Sequence, residues 1–100
     1  MNNEKTYVEQ LAKKLNVSEE ELIYDIWDKI EYLVPGFYIS DKNFYTTLDN
    51  MIFSLEAHSK YSVLGEELSP EKEKDVIIQT IKVVCDVLGP KFTEPVSIGF

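Results

Sequence analysis

Two dipeptides, Ser69-Pro70 and Gly89-Pro90, bracket an apolar-periodic stretch and leave it little choice but a helix. A serine hydroxyl caps orphaned amide donors, and a proline at the first helical position lacks only an amide hydrogen that has no helical partner there. Glu71 and Glu73 in the first turn complement the positive end of the helix dipole. At the far end Gly89 offers a left-handed cap and Pro90 forbids continuation. Between them Val76, Ile77, Ile78, Ile81, Val83, Val84, Cys85, Val87 and Leu88 leave a narrow polar stripe of Asp75, Gln79, Lys82 and Asp86. A helix this apolar is expected to be mostly buried, and therefore central.

The same punctuation divides the rest of the chain. Val8, Leu11, Ala12 and Leu15 recur at helical spacing over residues 5–15, and the chain breaks at Asn16-Val17. Ser18 with Glu21 forms a capping-box pattern, which Val17 and Leu22 can staple. A second helix then runs over 19–34, with Leu22, Ile23, Ile26, Trp27, Ile30 and Leu33 on one face, and Pro35-Gly36 ends it. Phe37-Tyr38-Ile39 reads as a short extended linker. Ser40 or Asp41 caps a third helix reaching about Ser59, with Phe44, Leu48, Met51, Ile52 and Leu55 inward. Residues 59–68 read as a loop, and 91–100 as an extended arm docking through Phe92, Val96 and Ile98. The expected fold is all-α: one domain, residues 1–100, built as a compact bundle of about four helices with a C-terminal arm.

Charge narrows the partners. The 100 residues carry 18 acids against 10 basic residues, a net charge of −8, and every basic residue is a lysine. Phosphate neutralisation supplies much of nucleic-acid affinity, and arginine is its usual bidentate reader, so nucleic acid is not an expected ligand. An acidic surface keeps a protein soluble and also steers basic partners towards it. No apolar run reaches the roughly 20 residues that span a bilayer, so no membrane association is expected. Met1 to Lys5 lack the features of a secretion signal, and Cys85 is the sole cysteine. A cytoplasmic location is expected.

Catalytic chemistry has few candidates. His58 is the only histidine, and no nucleophile can be placed beside it. Cys85 falls on the apolar side of its helix, where an inert thiol is expected. One His and one Cys do not make a transition-metal site, and no glycine-rich phosphate loop is present, so no metal or cofactor is implied. The chain is read as a binding protein without enzymatic activity.

Two local patterns point elsewhere. Residues 8–22 have the alanine, the apolar spacing and the Val-Ser turn of a helix-turn-helix. The residues that would enter the major groove are Glu19, Glu20 and Glu21, which repel phosphate, so the pattern is read as helix packing. The segment Ile39-Ser40-Asp41-Lys42-Asn43-Phe44-Tyr45-Thr46-Thr47-Leu48-Asp49-Asn50-Met51-Ile52-Phe53 resembles part of the helical regulatory domains of sugar-phosphotransferase-controlled transcription regulators. Glu94-Pro95-Val96-Ser97-Ile98-Gly99-Phe100 resembles the start of their last helix. Two short segments carry this resemblance, which implies a regulatory module acting through helix packing and dimerisation. Those domains are switched by histidine phosphorylation. Here the matching region offers Asn50 or Met51, no arginine follows, and the chain stops before a final helix, so the resemblance implies a degenerate copy.

The second helix carries the candidate binding surface. Glu21, Asp25, Asp28 and Tyr32 fall at i, i+4, i+7 and i+11, flanked by Tyr24 and Glu31, with Lys29 the helix's one basic residue. Like charges at these spacings cost around 0.2–0.5 kcal/mol per pair. Carboxylates steer and pair with cations, while tyrosine supplies contact area at low entropic cost. Glu66 and Glu67, with Glu71 and Glu73, form a second acidic group. The expected function is that of an immunity-protein or antitoxin-type inhibitor, whose Glu21, Asp25 and Asp28 occlude a basic, nuclease-like toxin or effector. The alternatives are the phosphotransferase-linked regulatory module and a homodimeric scaffold built on Phe37, Tyr38 and the arm.

Overall fold

The computed structural model of the chain describes residues 6–60 and 68–97. Among them are four helices, α1 (Tyr7–Lys14), α2 (Glu19–Leu33), α3 (Asp41–Lys60) and α4 (Pro70–Leu88), and no β-strand. The fold is the all-α bundle expected from the sequence.

Each helix starts at a hydroxyl cap. The side chains of Thr6, Ser18, Ser40 and Ser69 accept the amides of Glu9, Glu21, Asn43 and Lys72 at 3.1–3.3 Å. Ser40 is therefore the cap of α3, not Asp41. The helix ends follow from the residues that can leave the α region. Asn16 takes a left-handed φ of 59°, its amide returns to Lys13 and the Val17 amide to Ala12, which is the Schellman pattern with asparagine in place of glycine. After α2, the Phe37 amide bonds the Val34 carbonyl across Pro35-Gly36, with Gly36 at φ +86° as a type II turn requires. Gly89 departs from expectation. Its φ of +96° comes with ψ 166°, an extended conformation open mainly to glycine, where a left-handed cap was expected. Pro90 explains the difference, because a residue before proline is pushed away from α-type ψ.

The helices form a ring: α1 packs on α2 and α3, and α4 packs on the same two. Their inward residues meet in one core, Val8 and Leu11 from α1, Leu22, Ile26 and Ile30 from α2, Phe44, Leu48, Met51, Ile52 and Leu55 from α3, and Ile77, Ile78, Ile81 and Cys85 from α4. The central position expected for α4 is not realised. In a ring every helix keeps an outer face, and on α4 that face carries Val83, Val87 and Leu88, all exposed. Leu33 of α2, expected inward, is also partly exposed at the end of its helix.

Residues 91–97 of the arm run along α3. Tyr38 and Lys91 form a single parallel bridge, Asn43 donates through Nδ2 to the Thr93 carbonyl, and the Val96 amide donates to Thr47 Oγ1 at 3.0 Å. Thr47 is thus a buried hydroxyl with a purpose, since it takes up an amide that Phe92 and Val96 bring against the core. Residues 94–97 are not helical, so the similarity to the start of a last helix has no helical counterpart there. Ile98 lies outside the described residues. No helix among the described residues is long and apolar enough to cross a membrane.

Candidate functional site

Local periodicity of α2 decides which side chains reach solvent. Leu22, Ile26 and Ile30 commit one face to the core, which turns Glu20, Glu21, Tyr24, Asp28, Glu31 and Tyr32 outward. Tyr24 is 70 % and Tyr32 86 % exposed, large values for aromatic side chains. A groove of about 800 Å³ opens between this face and the start of α4. Its walls bring together Glu20, Glu21, Tyr24, Asp25, Asp28, Glu71 and Lys74, with Leu15, Val17 and Leu22 among its apolar lining.

Of the residues selected from sequence, Glu21, Tyr24, Asp25 and Asp28 share the groove. Glu31 and Tyr32 lie further along α2, exposed but outside it. Glu66 and Glu67 lie outside the described residues. Glu71 joins the groove from α4, whereas Glu73 is buried, 4 % exposed, and adds nothing to the acidic surface. The three glutamates opening α2 also divide: Glu20 and Glu21 face solvent, while Glu19 is half-buried beside the Tyr45 hydroxyl.

Asp25 has a different role from its neighbours. Its Oδ2 accepts from Lys74 Nζ at 2.7 Å and from Lys29 Nζ at 3.2 Å. The Lys74 ammonium holds the Asp25 carboxyl below its ordinary value, against the opposing effect of partial burial, and Lys29 adds to the lowering. The same hydrogen bond raises Lys74 above the usual lysine value. This carboxylate is therefore internally neutralised and ties α2 to α4. Glu20, Glu21, Asp28 and Glu71 have no ion pair among the described residues, so the groove's net character is acidic despite Lys74.

A second, smaller pocket lies on the other side of Tyr24. Ile23, Tyr24 and Trp27 of α2 and Asp41, Phe44 and Tyr45 of α3 enclose about 350 Å³. Sequence periodicity placed Trp27 and Phe44 in the core, and nothing in it distinguished Tyr45. The pocket exists because Trp27 and Phe44 meet edge to face across two helices, a relation that spacing within one helix does not encode.

The residues considered for catalysis do not assemble. His58 is exposed near the end of α3, and Cys85 is buried in the core, where burial pushes its thiol up and keeps it protonated. Comparisons of the chain with protein-family models, curated proteins and solved structures find no match.

Proposed function

We propose that this protein is a non-enzymatic binder of a basic protein, acting as an inhibitor of the immunity or antitoxin kind. The observation that carries the reading is the groove beside α2, where Glu20, Glu21, Asp28 and Glu71, without an ion pair among the described residues, surround an exposed tyrosine. Carboxylates so placed attract a cationic surface over about 8–10 Å at physiological salt and pair with it on contact. If the target binds nucleic acid, these groups take the places of substrate phosphates, and occlusion inhibits it. The proposed site of action is the cytoplasm.

Asp25 is assigned to scaffolding within this surface, because its charge is already met by Lys74 and Lys29. Glu21, Tyr24 and Asp28 are the contact residues, with Glu31 and Tyr32 extending the face along α2. The regulatory-module alternative draws on one feature, the exposed Val83, Val87 and Leu88 on α4, which suit helix-on-helix dimerisation. The scaffold alternative loses Phe37, which is buried against Trp27 and Phe44, and among the described residues it keeps Tyr38 as an exposed aromatic.

The test is capture of a partner from host lysate at low salt, followed by assay of that partner's own activity with and without stoichiometric protein. A basic partner whose activity is suppressed supports the inhibitor reading. A partner that is bound and remains fully active, or a protein that only self-associates, contradicts it.

A further inference from the structure

The pocket between α2 and α3 is lined by rings of three kinds of fixity. Trp27 packs edge-on against Phe37 and Phe44, with ring centroids 4.9 and 4.8 Å apart, so its indole cannot turn freely. Tyr45 is half-buried and its hydroxyl is hydrogen-bonded to Thr6 Oγ1, which pins the ring from the residue that caps α1. Tyr24 is free to move at the mouth, being largely exposed. Among the described residues Asp41 is the one charged residue in the lining.

We propose that this pocket is an anchor site for an arginine side chain of the protein partner, its guanidinium stacked on the aromatic walls and paired with Asp41. The inference rests on the reading of α2 as the partner-binding face and names the contact at its edge.

Three arguments select this occupant. A volume of about 350 Å³ lies at the lower end of ligand sites and suits one long side chain better than a cofactor. Electron-rich faces of Trp and Tyr attract a cation, and a planar guanidinium both stacks on a ring and bonds a carboxylate bidentately. An apolar anchor would strip water from Asp41 without replacing its hydrogen bonds, which disfavours it. Tyr24 lines this pocket and the acidic groove alike, so one partner segment can place an arginine here while neighbouring cations meet Glu20, Glu21 and Asp28.

The probe is the blocked tripeptide acetyl-Gly-Arg-Gly-amide, titrated into isotope-labelled protein and followed by NMR, with the neutral citrulline counterpart as control. The expected result is a saturable shift of the Trp27 indole N–H and of the Tyr24, Asp41 and Tyr45 signals, with the citrulline peptide binding about tenfold more weakly. Tyr24→Ala and Asp41→Asn should each weaken arginine-peptide binding several-fold while leaving the helical circular-dichroism signal unchanged. Equal binding of the two peptides, or no saturable shift at Trp27, overturns the proposal. Shifts confined to Glu21 and Asp28 overturn the pocket but leave the acidic-face reading standing. A Trp27 response in a protein that captures no basic partner does the reverse.

Discussion

Lys74 of α4 reaches across to Asp25 of α2 and donates to its Oδ2 at 2.7 Å, while Lys29 approaches the same oxygen at 3.2 Å from one turn along α2. A carboxylate that looks from sequence like part of a binding stripe is thereby a joint between two helices. Partial exposure of both side chains keeps its net worth small, a few tenths of a kcal/mol and under about 1 kcal/mol. The pH dependence has a definite sign. Asp25 is lowered in the folded state, so its contribution is present above the ordinary carboxylate range and fades as pH falls through it. Lys74 is raised, so its share is present below the ordinary lysine range and fades above it. Thermal melts of wild type and Asp25→Asn should differ by a constant few degrees between about pH 6 and 9 and converge towards pH 3. A difference that grows on acidification would contradict the assignment.

Charge reversal separates scaffold from contact. Asp25→Lys places a third cation beside Lys29 and Lys74 and should lower the melting temperature by several degrees. Glu21→Lys with Asp28→Lys alters only exposed positions and should leave it within about 3 °C. Circular-dichroism melts of the two variants check the ordering.

Gly89 provides a backbone test. At φ +96° and ψ 166° an alanine would be strained, although its Cβ would meet no atom within 4 Å. Gly89→Ala should therefore cost on the order of 1–3 kcal/mol in urea unfolding, entirely through conformation. An unchanged midpoint would mean that the α4 end relaxes into another turn.

Cys85 is 4 % exposed and its thiol is raised by burial. Labelling by a thiol reagent at pH 8 should be slow in the native protein and become fast in denaturant. Rapid labelling without denaturant would place local opening at the C-terminal half of α4.

What was legible in the sequence was the part that local chemistry dictates. Serine caps, the Pro35-Gly36 turn, the Pro70 start and the inward faces of α3 and, Leu33 apart, α2 are set by neighbours within a turn or two, and the fold agrees with them. Ring packing was not legible. Apolar content suggests burial of α4, yet Val83 and Val87 sit on the side of the helix that is exposed, away from the core. The candidate face divides in the same way. Exposure of Tyr24, Asp28 and Tyr32 follows from the phase of α2 alone, whereas neutralisation of Asp25 by Lys74 and burial of Glu73 depend on how α4 lies against the bundle. The aromatic pocket depends on α2 meeting α3, which no single-helix pattern records.

Under the proposed function the acid-tyrosine face of α2 docks a basic protein. Wild type and the Glu21→Lys, Asp28→Lys variant are used as paired baits in the same lysate, at low and high salt. Wild type should hold one basic protein at low salt and release it as salt rises, and the variant should not hold it. Capture of the same protein by both baits, with no dependence on salt, would contradict the proposed function.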